Sequence, residues 1–213
     1  LIDHGVAPVI LERGKRVEER AEDIRKFTQT GVLDPDSNVQ FGEGGAGAFS
    51  DGKLNTQTKD VRNRDVLDAF VRFGAPEEVG YLGKPHVGSD NLKKVVANIR
   101  AYIQEHGGEF RFSEQLTDVR IRDGRLAEIV TTRGSEPCDE LVLAVGHSAR
   151  DTFEMLLSRG FVIEQKEFAV GVRMEHLQEK IGRAQYGAGY AALPPADYKL
   201  VSHASDRGVF TFC

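Results

Sequence analysis

"DELVLAVGHSAR", residues 139–150, carries the reading of the fold. Leu141 to Val145 is a continuous apolar run, without the alternation of a strand that has one wet face. Such a run suits a strand of a parallel sheet covered by helices on both faces. It stops at Gly146, which brings the backbone close to whatever lies at the carboxyl edge of the sheet, where open α/β sheets hold ligands. A plain strand-to-helix turn would use the same glycine, so this run alone leaves both uses open.

Outward from it, "VILERG" (9–14) reads as a second short buried strand, Val9 to Leu11, ending in Glu12. A carboxylate there can accept from both hydroxyls of a ribose; the alternative is a charged residue that ends a strand for solubility. The dinucleotide fingerprint places this acid roughly 20 residues after the first glycine of a phosphate loop, so that loop would precede residue 1. "KRVEERAEDIRKFTQTG" (15–31) reads as an exposed helix closed by Gly31, its basic residues a solvated face. In "SDNLKKVVANIRAYIQEHGG" (89–108), Leu92, Val95, Val96, Ile99, Tyr102 and Ile103 form one helical stripe. "QLTDVRIRDGRLAEIVTT" (115–132) alternates on both sides of Asp123-Gly124, a hairpin signal. "DTFEMLLSRG" (151–160) is a short helix, and "KEFAVGVRMEH" (166–176) returns to strand chemistry. The order predicts an α/β domain over residues 1–160, a parallel sheet with an antiparallel crossover hairpin. The start of a second, β-rich domain follows over 161–213. "LIDHG" and "GVFTFC" lie inside elements, so the sequence reads as an internal piece of a longer protein.

"VQFGEGGAGAFSDGKLNT" (39–56) holds five glycines between Gly42 and Gly52, a density that neither helix nor strand tolerates. Its successive N–H groups from Gly42 to Gly47 can form an anion-binding concavity. Ser50 and Asp51 can cap a turn or bond a ligand, and Lys53 can face a phosphate. Phe41 and Phe49 would anchor the loop. The alternative is a glycine loop with no ligand.

The 213 residues carry a net charge of -5. That argues against a nucleic-acid backbone as the main partner. No apolar run approaches the roughly 20 residues of a membrane helix. Cys138 and Cys213 make no disulfide framework, which fits a reducing compartment, the cytoplasm. His4, His106, His176 and His203 lack metal-ligand spacing, and His86 sits in a turn before a helix. Neither GxSxG nor GxxxxGK[ST] occurs.

"ILERG", "GEGGAGAFSDGKL", "PHVGSDNL", "LAVGHSARDTFEML" and "EFAVGVRMEH" occur in this order. Together they resemble a family of bacterial and archaeal FAD-dependent dehydrogenases, distant relatives of the glutathione-reductase-type flavoproteins. The resemblance implies a partial FAD/NAD(P)-binding, Rossmann-like domain and hydride transfer through the flavin. It implies a small-molecule substrate, NAD(P)H as a candidate electron donor, and neither nucleic-acid nor membrane partners. Carried over by position, Glu12 would take the adenosine ribose and Arg13 would lie near the adenine. Val119 would meet adenine through its backbone. Gly42, Gly44, Gly45, Ala46 and Gly47 would approach the ribityl chain and the flavin, with Ser50, Asp51 and Lys53 beside them. Gly146 would close over the cofactor. His147 would face the flavin or its phosphates, a surface histidine being the alternative. No side chain is singled out as a catalytic acid or base. Two other classes stay open: an FAD protein of RNA modification, and a non-catalytic FAD-binding module.

Overall fold

The computed structural model describes residues 1–49, 52, 59–82, 87–203 and 207–211. They fall into two compact units, Leu1–Ile163 and Glu164–Cys213. Both helix and sheet are present, and the sheets are small.

In the first unit, β1 (Val9–Glu12) pairs in parallel with β2 (Glu109–Phe112), Val9 opposite Glu109 and Glu12 opposite Phe112. Between them in sequence lie α1 (Val17–Thr30), α2 (Asn63–Arg72) and α3 (Ser89–Glu105). Parallel neighbours need such a crossover. The α3 stripe is real: Val95 is fully buried, and Leu92 joins it in a core with Ala75, Val79 and Val87. Leu67, Phe70 and Val71 of α2 pack onto that core at helical spacing.

β3 (Leu116–Arg122) and β4 (Arg125–Thr131) form the hairpin read from Asp123-Gly124. Both turn residues have positive φ, 52° and 75°, the requirement of a two-residue turn whose twist matches its strands. β5 (Gly134–Pro137) adds a third antiparallel strand, Thr131 opposite Gly134. The inner face of this sheet, Val119 and Ile129, packs against Leu156 of α4 (Arg150–Ser158).

One expectation is overturned. The apolar run 141–145 is not a strand, and Val142 is 82% exposed. A strand is held by a neighbour's N–H and C=O groups. No described strand runs beside this segment, because the parallel sheet stops at β1 and β2. Only Leu141 reaches the hairpin core. Among its described residues the second unit holds little strand. It contains α5 (Gln178–Tyr186), a 3-10 turn at Gly187–Ala192, and the two-residue strands β6 (Val201–Ser202) and β7 (Val209–Phe210). Phe168, Val170 and Val172 keep the period of a strand but are more than 80% exposed and pair with nothing described.

The hairpin core gives a direct test. Leu156→Ala empties a site 5% exposed and is expected to destabilise the first unit by about 2–5 kcal/mol. Leu157→Ala, at a neighbour 61% exposed, should stay within about 0.5 kcal/mol. Denaturant unfolding of both variants checks the pair, and equal losses would place the core elsewhere.

Candidate functional site

The site begins where β1 ends. Glu12 Oε1 accepts from the N–H of Gly14 at 2.9 Å and of Gly42 at 3.1 Å. One carboxylate oxygen thus joins the turn after β1 to the glycine stretch. The two backbones touch: a Cβ on Gly14 would lie 2.6 Å from both N and Cα of Gly42. Glu12 therefore has partners within the protein.

The glycine stretch is organised by Arg20 of α1, which is fully buried. Its Nε donates to the carbonyl of Asn38 (2.7 Å) and its Nη2 to that of Val39 (2.9 Å). Its Nη1 donates to the carbonyls of Glu43 (2.7 Å) and Gly42 (3.3 Å). The guanidinium lies 4.6 Å from the centre of the Phe49 ring, with the Lys93 ammonium 4.7 Å from the same ring. Burial lowers the Arg20 pKa to about 10, with the charges of Glu12 and Glu43 opposing the shift, so the group stays cationic at neutral pH. The reading of the 13–26 basic residues as a solvated face fails at this residue. Arg20 falls on the stripe of Val17, Ile24 and Phe27, and a charge at that spacing was the available signal.

Gly42 (φ 113°) and Gly44 (φ 83°) are explained by this chain alone. A Cβ on Gly42 would meet Arg20 Cδ at 2.4 Å, and one on Gly44 would meet Ala48 Cβ at 2.9 Å. Gly45 differs. Its φ is 58°, yet a Cβ there would meet no described atom within 4 Å. Ala46 and Gly47 open a 3-10 turn, Ala46–Phe49, and both are exposed. Ser50, Asp51 and Lys53 lie outside the described residues, as does His86.

The turn after residue 145 meets this end of β1. Arg13 makes two hydrogen bonds to Asp151, at 2.8 and 2.7 Å, and its guanidinium lies 4.4 Å from the centre of the Phe41 ring. Gln115 Nε2 donates to the same carboxylate at 2.6 Å. Burial works against the charge of Asp151, but Arg13 and the Thr152 N–H outweigh it and hold its pKa below the usual carboxylate range. Ser148 Oγ lies 3.2 Å from Gln40 Oε1 and 3.1 Å from His147 Nδ1. Gly146 (φ 69°) and His147 are exposed at this edge. The structure thus brings together Glu12, Arg13, the glycine loop and the 146–151 turn. The side chain of Val119 lies in the core of the hairpin, opposite Ile129. Arg20, Gln40, Glu43, Arg100 and Asp151 were not singled out from sequence.

Among the described residues no helix is long and apolar enough to cross a membrane. Residues 167–213 match the model of a family described as FAD-dependent protein, C-terminal domain-like. An uncharacterized protein of Clostridium beijerinckii is 48% identical over the whole of this chain. The chain spans 41% of that relative's length. The structure of an L-amino acid deaminase from Proteus myxofaciens in complex with anthranilate aligns with 67% of this chain and 28% of its own, at 14% identity. Its TM-score of 0.27 is too low to speak for a shared fold.

Arg20→Met removes the donor shared by four loop carbonyls. It is expected to destabilise the first unit by at least about 3 kcal/mol, more than one buried polar group left unpaired. Arg20→Lys should recover little of this, because one ammonium cannot span the four acceptors. Denaturant midpoints decide it, and a Met variant within about 1 kcal/mol of wild type would reject the role.

Proposed function

We propose that this chain is part of an FAD-dependent oxidoreductase, and that the edge formed by Glu12, the glycine loop and the 146–148 turn holds the cofactor. The observation that carries the reading is Gly45. Its neighbours Gly42 and Gly44 are glycines because Arg20 and Ala48 fill the space of a side chain. Gly45 meets no such neighbour, yet holds a backbone shape that L side chains rarely adopt. A half-buried backbone without a side chain, joined through Gly42 and Glu12 to the carboxyl end of β1, suits the approach of a phosphate or a flat ring. The family match over 167–213 supports FAD as the group concerned.

Bound FAD would supply hydride chemistry, while protein groups supply position and electrostatics. Glu12 would serve twice. A carboxylate offers about four acceptor positions, so holding two loop amides leaves capacity for ribose hydroxyls. Arg13, already neutralised by Asp151, would offer its flat guanidinium and the Phe41 ring beside it to an adenine. His147 would stand at the rim, with Ser148 fixing its Nδ1 side. A small-molecule substrate and NAD(P)H as electron donor belong to the proposal for the whole protein.

Gly45→Val and Gly124→Val form a matched pair. Both positions have positive φ, 58° and 75°, and neither Cβ meets a described atom within 4 Å. Backbone strain is therefore common to both. In the intact protein, Gly45→Val should lower FAD affinity at least about tenfold, or 1.4 kcal/mol, while Gly124→Val keeps its flavin when folded. Bound flavin per folded molecule measures this, and a full complement in Gly45→Val would reject the site.

A further inference from the structure

Glu43 is an acid inside the glycine stretch, 6% exposed. Its Oε2 accepts from the N–H of Val17 at 2.9 Å. That N–H is the first of α1 and has no partner within the helix, so a side chain 26 residues away caps it. The same oxygen accepts from Arg100 Nη1 of α3. The backbone is fixed as well: Glu43 N–H donates to the Lys15 carbonyl at 3.0 Å, and Arg20 holds its own carbonyl. Oε1 is different. It is buried and has no hydrogen-bond partner among the described residues. Buried polar atoms left so are few in native proteins and call for a reason. An apolar side chain of similar length, such as Met, would avoid that penalty. What it could not supply is charge for Arg100.

We infer that Glu43 is a positioning residue of the glycine loop, acting through its charge: the carboxylate ties residues 42–47 to the start of α1 and, through Arg100, to α3. The inference rests on the cofactor reading only for what the loop holds. Arg100 is 12% exposed on its side chain and is shared between Glu18 at 2.7 Å and Glu43. Its guanidinium also lies 6.0 Å from the centre of the Phe112 ring on β2. Without the charge at position 43, Arg100 keeps the Glu18 carboxylate, and the loop loses its charge-assisted bond to α3 while the Lys93–Phe49 contact remains. The charged groups around Glu43 are Arg16, Glu18 and Arg20 at and within α1, Arg100 on α3, and Glu12 at the end of β1. Burial pushes the Glu43 pKa up, against the Val17 N–H and Arg100. A raised pKa in the folded state means that the folded protein takes up this proton first as pH falls. The tie therefore weakens in milder acid than an ordinary carboxylate would require.

The test is Glu43→Gln in the intact protein. Gln keeps an acceptor for the Val17 N–H and removes the charge. Amide hydrogen exchange at neutral pH should quicken at least about tenfold at Val17, Gly42, Glu43 and Gly45, the scale of one lost charge-assisted hydrogen bond. The β3–β4 hairpin and α2 should be unchanged. Arg100→Gln, which breaks the tie from the other side, should give the same map. Unchanged exchange at 42–45 overturns the inference. So does a uniform rise across the unit, which would assign Glu43 to fold stability alone. FAD affinity is read in parallel. Wild type should lose affinity on mild acidification, and Glu43→Gln should be weaker at neutral pH and flat across that range. A loosened loop with unchanged FAD affinity also overturns the positioning role. Wild-type protein that binds no FAD rejects the cofactor reading, and the exchange map then decides Glu43 by itself.

Discussion

A buried guanidinium holding four carbonyls is the constraint on which the rest of this site depends. Arg20 leaves α1, enters the protein and gathers the backbone of residues 38–43 around itself. Burying such a cation is costly unless every donor is satisfied. Here the acceptors are main-chain oxygens, of which the Gly42 carbonyl also accepts from the Gly45 N–H at 3.0 Å. The arrangement is mutual, so neither half tolerates change. It also accounts for Gly42, whose missing side chain is the space that the arginine stem occupies.

The local elements were legible in the sequence. The α3 stripe, the Asp123-Gly124 turn and the closing of α1 at Gly31 follow from side-chain period and from glycine's freedom at positive φ. Pairing was less legible. Leu141 to Val145 and Phe168 to Val172 have the composition of strands, but composition says nothing about which neighbour supplies the hydrogen bonds. Where the structure places no neighbour, there is no strand. β5 was missed for the opposite reason. Gly134–Pro137 has little strand composition, yet it pairs because the turn at Thr131 folds it back onto β4.

The site divides in the same way. Glu12 and the glycine stretch stood out as chemistry at the end of a strand, and the structure joins them through a shared hydrogen bond. The residues that hold them did not stand out. Arg20 looks like a solvent-facing charge in a run of such charges, and Arg100 like a lone charge beside the apolar stripe of a helix. Asp151 looks like the first acid of a helix, yet it binds Arg13 across 138 residues. Long-range ion pairs leave no periodic trace. Only their position on an apolar stripe, as with Arg20, can betray them.

The Arg20 cluster also explains how one amide of the glycine loop, the Gly44 N–H, comes to face outward, while those of Gly42, Glu43 and Gly45 bond to Glu12, Lys15 and Gly42. Peptide units are planar and trans, so the C=O of one residue points opposite to the N–H of the next. No cis bond occurs among the described residues. Arg20 draws the Glu43 carbonyl inward. The Gly44 N–H must then point away from Arg20, on a residue that is exposed. The Gly42 carbonyl, drawn the same way, sends the Glu43 N–H to Lys15 and so to the turn after β1. One buried cation thus fixes the direction of successive amides without touching them. For the cofactor proposed above, a donor set in advance matters because amides that must reorient on binding give up part of the binding energy in doing so.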